Sequence, residues 1–523
     1  MRERWYRSGY YRDETLSSAL RRAAREHADT PFRFHTVRGL RETTVGEIGR
    51  DAVRLGGALG VMGLRPGQVI AVQLPTCYET AVLYVAALHS GATVLPIVHT
   101  YGPAELDFIL KDSRAQWLAI PGEWRGIDYV ERCARTPAVD ALQGVIVLGD
   151  RPVPRGIAWR ELVERAAQSL PLAPVAQHAD ERSVLLYTSG TTARPKGVVH
   201  SHNTIRSEWE IPFFANRGPF LNPFPAGHIA GFNFILRPML CGVPMVFMDR
   251  FDPDVAAELV QRYAVTQSGG TPYFLQTLLE AAQRGRHDLS SIRAYGLGAT
   301  GVTAEHVRLT DELGWRGGRS YGLTEHSTVS CTYPDMPFSS RAYTDGRIQP
   351  GSEVRIVDEA GAEVALGAEG EILTRGPELF LGYTDPDLTQ EAFAGDWFRT
   401  GDIGRCDAEG FLTITDRKKD IIIRGGENIS SREVEEMLLR HPDVRDVATV
   451  SMPDARLGEK VCAFVVPRGA HALDLETLSR HCLASGLARF KVPERLELVT
   501  ELPRNAAGKV RKDELRNRLK SNP

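Results

Sequence analysis

The sequence predicts an α/β fold: a large N-terminal domain of several subdomains with layered sheets, followed by a small α+β C-terminal domain. Three observations lead there. The 523 residues exceed what a single hydrophobic core supports, so two to four domains or subdomains are expected. Apolar, β-prone runs alternate with helical patterns, the arrangement that produces parallel strands layered with helices. A Gly-punctuated strand series ends near residues 415–428, and beyond it lies a compact unit of about a hundred residues, the size of a small domain.

Taken in order, "QVIAVQLP", "ATVLPIV", "QWLAIP" and "GVIVLG" read as strands, with helices at "ETAVLYVAALHS" and "PAELDFILKDSRA" among them. The segment "TAVLYVAALHSGATVLPIV" has nearly the apolarity of a membrane span, but His89, Ser90 and Gly91 interrupt it. A buried helix followed by a strand accounts for it, and no membrane span is expected. Further on, "GSEVRIVDEAGAEV", "EGEILTRGP" and "GFLTITDR" form the strand series before the boundary. Beyond it Val434, Met437 and Leu438 mark one face of a helix stopped near Pro442, and "DVATVSM" and "KVCAFVVP" read as strands. No internal repeat or low-complexity tract is present.

Composition narrows the function. Hydrophobic residues make up 42% and charged residues 25% of the chain, with a net charge of −3. That is an ordinary globular balance with no pull toward nucleic acid or an anionic membrane. The seven cysteines, Cys77, Cys133, Cys241, Cys331, Cys406, Cys462 and Cys482, lack CxxC or Cys/His ligand spacing. Reduced, mostly buried thiols in a cytoplasmic protein fit that pattern. The start, "MRERWYRSGYYRDETL", has no apolar core of a secretory signal.

The most informative stretch is "LLYTSGTTARPKGVVHSH", Leu185 to His202. Gly190 and Lys196 stand at the Gly-to-Lys separation of a Walker A loop, but Pro195 replaces its second Gly and Gly197 its Ser/Thr. Both flanks read as strands, so a strand–loop–strand unit is expected and no helix dipole faces the loop. Anion binding would then fall to backbone N–H groups, the hydroxyls of Thr188, Ser189, Thr191 and Thr192, and the Lys196 ammonium. That inventory suits a polyphosphate; a polar hairpin turn has the same composition.

Four other islands, in order, complete a resemblance. "YTSGTTARPKG", "SYGLTEHS", "WFRTGDIG", "TDRKKDIIIRGGENISSREVEE" and "LPRNAAGKVRKDELR" resemble the phosphate-loop, YGxTE, TGD, hinge and terminal GK motifs of the adenylate-forming superfamily of acyl- and aryl-CoA ligases, adenylation domains and luciferases. The similarity runs over nearly the whole chain, with "PFPAGHIAG" a weaker match.

This resemblance implies ATP-dependent activation of a carboxylic acid to an acyl-adenylate with pyrophosphate release, then transfer to a thiol. Two anions must be brought together, which calls for positioned cations and Mg²⁺. By the same resemblance Glu325 would be the Mg²⁺ carboxylate, sufficient alone because Mg²⁺ also takes substrate phosphates. Thr324 would bond the α-phosphate, and Tyr321, beside Gly322, would stack on adenine. Asp402 and Arg417 would hold the ribose, and Lys509 would bridge the acid carboxylate and the α-phosphate, with Gly508 allowing close approach. In that role a residue more than three hundred positions from the phosphate loop must close over it, and a mobile C-terminal domain would supply that closure. The expected boundary gives domains 1–416 and 417–523, with Lys419 as hinge. Rotation would carry Gly426 to a tunnel for the thiol of CoA or of a carrier protein's phosphopantetheine. On their own, Glu325, Asp402, Lys419 and Lys509 also fit ordinary exposed or turn residues.

For the acid itself the motifs give less. His228 of "PFPAGHIAG" would lie at the pocket mouth and gate thiol access; a structural loop histidine fits equally. Ligases of 2-hydroxybenzoates usually carry Asn after it, whereas this chain has Ile229, which disfavours such acids even though "ERWYRSGYYRDETL" resembles the entry segment of dihydroxybenzoate and alicyclic-acid ligases. In "LGATGVTAE" Gly298, Ala299 and Thr300 would run between adenine and the acid, with Thr300 and Gly301 departing from the usual SGAAPL or GGAPL. The segment "SGGTPYFLQTLLEAA" would line the acid pocket, its helix starting at Pro272. Aromatic, alicyclic and medium-chain acids all remain. The leading reading is a CoA ligase. A second is an adenylating enzyme serving a separate carrier protein or another nucleophile, since no carrier module is attached. A third, an inactive nucleotide binder, predicts decay of the motif residues, and none is decayed.

Overall fold

The computed structural model describes residues 2–149, 151, 153–188, 195–211, 217–469 and 473–521. Two large sheets form the N-terminal part. The first has eight strands, ordered Gly382–Tyr383, Lys196–Ser201, Arg182–Thr188, Thr93–Pro96, Val69–Val72, Trp117–Pro121, Gly144–Leu148 and Gly156–Ala158. The four strands expected from the apolar runs pair in parallel, with Ile70 opposite both Val94 and Trp117 and Leu118 opposite Val145. In the second sheet, of nine strands, Phe220–Asn222, Met245–Met248, Gln267–Gly270, Ala294–Leu297 and Arg316–Tyr321 are parallel.

The helix Tyr78–His89 explains the membrane-like segment. Every residue from Thr80 to His89 is buried, because the helix shares one core with Val72 and Val94 of the first sheet and Phe32, Phe220, Met245 and Phe247 of the second. A helix apolar on all sides is what a position between two sheets requires. Among the described residues no helix is long and apolar enough to cross a membrane. All seven cysteines are free, five of them buried.

A smaller antiparallel sheet, Glu353–Val357, Gly370–Arg375, Phe393–Ala394, Trp397–Cys406 and Leu412–Arg417, leads to the C-terminal unit. There a second sheet is built on the hairpin of Val444–Asp454 with Gly458–Pro467. Helix Ser431–Leu439 lies against it, with Val434 and Leu438 fully buried and Met437 partly buried. Its end at Leu439 falls short of Pro442, as a proline ahead demands.

The last helix, Lys512–Ser521, is anchored by charge. The Lys512 ammonium lies 2.7 Å from the Glu435 carboxylate and donates to Ser431 Oγ at 2.8 Å. Both charged side chains are largely enclosed, so deleting one strands the other. Lys512→Ala is expected to destabilise the C-terminal unit by about 3–5 kcal/mol, read as a lower urea midpoint.

Candidate active site

In the smaller antiparallel sheet, Trp397–Cys406 and Leu412–Arg417 pair with Asp402 directly opposite Arg417. Arg417 Nε donates to Asp402 Oδ1 at 2.7 Å, and the Tyr321 hydroxyl donates to Oδ2 at 2.8 Å. Asp402, only 2% exposed, therefore sits within a strand and uses both carboxylate oxygens to hold partners. Tyr321 ends the strand Arg316–Tyr321, and burial together with the Asp402 charge raises its phenol above its ordinary range.

At the other end of the site, Arg182–Thr188 and Lys196–Ser201 pair antiparallel with Thr188 opposite Lys196. This is the expected strand–loop–strand; Ser189, Gly190, Thr191 and Thr192 lie outside the described residues. The Lys196 ammonium stands 5.2 Å from the centre of the Tyr383 ring, and the Tyr383 hydroxyl donates to Glu325 Oε1 at 2.7 Å. Burial raises the Glu325 carboxyl above the ordinary carboxylate range, opposed by the Tyr383 hydrogen bond and by the charges of Arg417 and Lys196. The Thr324–Glu325 turn is fixed from behind: His200 Nε2 donates to the Thr324 carbonyl at 2.8 Å, and the Phe380 N–H donates to the Glu325 carbonyl at 2.8 Å. Gly322 is required here, since a Cβ would fall 1.9 Å from the Ser327 carbonyl oxygen.

Between these ends runs the strip after strand Ala294–Leu297. Gly298 is buried against Ser320, whose Oγ would lie 2.7 Å from a Cβ. Ala299 is exposed and takes φ +64°, a left-handed conformation unfavourable for a residue with a side chain. Thr300 is half-buried. Arg432, from helix Ser431–Leu439, donates to the Val302 carbonyl at 3.1 Å and to the Ile414 carbonyl at 2.6 Å, so one guanidinium ties this strip to the strand Leu412–Arg417.

The C-terminal unit also packs against the start of helix Pro272–Gly285. Gly508, at φ +81°, approaches so near that a Cβ would lie 2.7 Å from Thr271 Oγ1 and 3.2 Å from Phe274. Arg504 stacks 4.6 Å over the Tyr273 ring. Lys509 consequently enters the neighbourhood of Arg417, Asp402 and His228. The Arg417 charge, followed by burial, pushes its ammonium down to about 7, against the pull of Asp402. His228 caps helix Ile229–Cys241, its Nδ1 accepting from the Ala230 N–H at 3.2 Å, which assigns its proton to Nε2. Burial and the Lys509 charge hold it down to about 4, so it is neutral at pH 7. The aromatic rings of Phe224 and Phe274 lie near it, with Phe224 6.2 Å from His228 and 6.1 Å from Phe274. The helix Pro272–Gly285 begins at Pro272 as expected.

Two expected residues are exposed, Lys419 at the margin of this cluster, where its charge still acts on Lys509, and Gly426 beyond it. Lys419 is exposed on the turn after Arg417, its carbonyl accepting from Arg516. Gly426 is exposed in the turn between Ile422–Arg424 and Glu427–Ile429, at φ +92°. Conversely Tyr383, His200 and Arg432 were not singled out from sequence. The only trace of Tyr383 is a Gly-Tyr pair just before the Asp385-Pro386 helix start, and buried His200 leaves none.

The family model described as AMP-binding enzyme matches residues 20–384, and that of the AMP-binding enzyme C-terminal domain matches 433–509. The chain belongs to the AMP-binding enzymes. A medium-chain fatty-acid–CoA ligase of Escherichia coli is 35% identical over 87% of this chain and 82% of its own length. A 2-hydroxy-7-methoxy-5-methyl-1-naphthoate–CoA ligase of Streptomyces carzinostaticus is 31% identical, over 98% and 94%. Among solved structures, an amide bond synthetase from Marinactinospora thermotolerans superposes with a TM-score of 0.82 at 28% identity, over 96% of this chain and 99% of the other. This AMP-binding enzyme is accordingly an ATP-dependent, adenylate-forming ligase that activates small acids.

Two outcomes are expected. Because Lys509 has a folded pKa near 7, the free AMP-binding enzyme loses that positive charge as pH rises through 7. With Lys509 in the bridging role that the resemblance implies, kcat/KM for ATP in acid-dependent pyrophosphate release should then fall with pH up to about tenfold per unit, and Lys509→Arg should flatten the profile. The stability sign follows from the same depressed pKa: between pH 7 and the ordinary lysine pKa the unfolded chain holds the proton that the closed fold lacks, so this group's contribution becomes more favourable as pH rises. Arg432→Ala should lower adenylate formation about tenfold, the scale of one or two charged hydrogen bonds, with the urea midpoint of the N-terminal part unchanged.

Proposed function

We propose that this AMP-binding enzyme is an acyl- or aryl-CoA ligase acting on an apolar carboxylic acid, aromatic, alicyclic or medium-chain. The observation that carries the reading is the convergence of Lys509 with Asp402–Arg417 and His228, side chains from three parts of the chain. In the first half-reaction a carboxylate oxygen of the acid attacks the α-phosphorus of ATP, the bond to pyrophosphate breaks, and an acyl-adenylate forms. Lys509 holds the acid carboxylate and the α-phosphate together, and their negative charge restores the proton that Arg417 disfavours. Asp402 and Arg417 hold the ribose, Tyr321 with Gly322 and the strip Gly298, Ala299 and Thr300 flank the adenine, and Thr324 bonds the α-phosphate. The loop Thr188 to Thr192 with Lys196 takes the outer phosphates.

Among the described residues no group of three or more His, Cys, Asp or Glu is arranged to hold a metal. A single buried carboxyl with a hydroxyl partner, Glu325, nevertheless fits Mg²⁺, which takes few protein ligands and completes its shell with phosphate and water. When bound, Mg²⁺ would neutralise charge on the phosphates beside Glu325.

In the second half-reaction the unit from residue 417 onward turns about Lys419, bringing Gly426 to the site. The thiol of CoA, losing its proton, attacks the acyl carbon and AMP leaves. His228, neutral and beside Phe224, stands where acid and thiol would meet. The aromatic surroundings of His228 and the Ile229 beside it support an apolar acid over a 2-hydroxybenzoate. A second reading, transfer to an amine or to a carrier protein, is supported by likeness to the amide bond synthetase and by 30% identity to a pyochelin synthase of Pseudomonas aeruginosa.

The deciding experiment measures pyrophosphate release from MgATP across benzoic, cinnamic, alicyclic and medium-chain acids, with and without CoA. A thioester formed only with CoA supports the ligase reading; release without thioester transfers the reading to another acceptor. Lys509→Ala is expected to abolish adenylate formation while retaining thiol transfer from a supplied adenylate, and Lys419→Pro to do the reverse. Equal loss of both steps in either variant would refute the division of roles.

A further inference from the structure

A cavity of about 450 Å³ lies away from this site, between the hairpin Pro31–Thr36/Gly39–Thr44, helices Val45–Val61 and Tyr78–His89, and helix Trp159–Gln168. Its volume is within the range of small-molecule sites. The walls are aromatic: Phe34, Tyr78, Trp124 and Trp159. Phe34 and Tyr78 meet edge to face at 6.4 Å.

Three arginines line the same cavity, Arg38, Arg41 and Arg54. Arg41 lies over the Tyr78 ring at 4.7 Å, and Arg38 over the Trp124 ring at 4.9 Å. A guanidinium stacked by its face keeps its in-plane N–H donors for an anion; Arg38 uses one of them on the Leu148 carbonyl. Among the described residues none of the three has a carboxylate partner, although ion pairs engage arginines over much of this surface, Arg22 with Glu14 and Arg33 with Glu42 among them. Two acids also line the cavity, Asp51 and Glu79; Asp51 already accepts from the Tyr78 hydroxyl. The lining therefore keeps a positive excess beside an aromatic body.

We propose that this cavity is a second ligand site, taking an amphipathic organic anion whose planar apolar body lies among Phe34, Tyr78, Trp124 and Trp159 and whose acid group is held by Arg38, Arg41 and Arg54. It is separate from the acid-activating site but joined to it by one turn. Cys77 and Tyr78 line the cavity, and the preceding Thr76 accepts from the Ala226 N–H at 2.9 Å, two residues before His228.

The test titrates the full chain with anilinonaphthalene sulfonate and with phenylnaphthylamine, its uncharged counterpart. Both should bind with saturable fluorescence, the sulfonate more tightly, and saturating MgATP should not displace them. Val163→Trp, a half-exposed cavity position, should weaken both about tenfold by filling the space. Arg41→Gln with Arg54→Gln should weaken the sulfonate about tenfold, the scale of charged hydrogen bonds, and leave phenylnaphthylamine unchanged. Retained pyrophosphate release shows that each variant is folded. Displacement by MgATP, indifference to Val163→Trp, or equal loss of both probes in the arginine variant would overturn the proposal.

Discussion

The closed arrangement turns on two cations held close together. Lys509 is brought beside Arg417, whose charge is the largest influence on its proton. Without an anion between them this contact is unfavourable; with one it becomes a clamp. Asp402 relieves part of the repulsion, but it is already shared between Arg417 and Tyr321. The fold must supply the rest through contacts distant from the charges.

It does so with local geometry. Gly508 packs against Thr271 and Phe274, Arg504 lies on Tyr273, and Arg432 grips two carbonyls on the N-terminal side. These contacts involve a close backbone approach, a stacked cation and hydrogen bonds to main-chain oxygen, and none depends on the nucleotide. Contacts of this kind need no substrate charge, while the Lys509–Arg417 repulsion opposes them when no anion lies between the two cations. The left-handed Ala299 belongs to the same strip that Arg432 holds, so local backbone strain and the contact with the C-terminal unit meet at one place.

The same logic separates this cluster from the arginine-lined cavity. Beside Asp402 the charges of Lys509 and Arg417 oppose each other, a repulsion that an anion between them would relieve. In the arginine-lined cavity two of the guanidiniums rest on aromatic rings and need no such relief, which suits a site that binds without chemistry.

Much of this was legible in the sequence. Apolar runs at "QVIAVQLP" and its neighbours pointed to the parallel sheet because β-branched and apolar residues of that length have few other uses, and the break at Gly91 with the polar His89 and Ser90 separated a buried helix from a membrane span. The motif order was also readable, and with it the close approach of Gly508 to Thr271 and Phe274; Asp402 and Lys509, taken singly, are types that turns and surfaces also use. What the sequence could not reveal was partnership. Tyr383, His200 and Arg432 act through hydrogen bonds to Glu325, to the Thr324 carbonyl and to the Val302 carbonyl, between positions far apart in the chain. No local pattern encodes such pairs, since they exist only once the sheets have stacked and the C-terminal unit has packed against them. The sequence by itself determined the family, the α/β layering and the chemical inventory of the site; the tertiary structure alone decided which of those groups stand close enough to shift one another's charge, because that depends on distance and burial rather than on residue type.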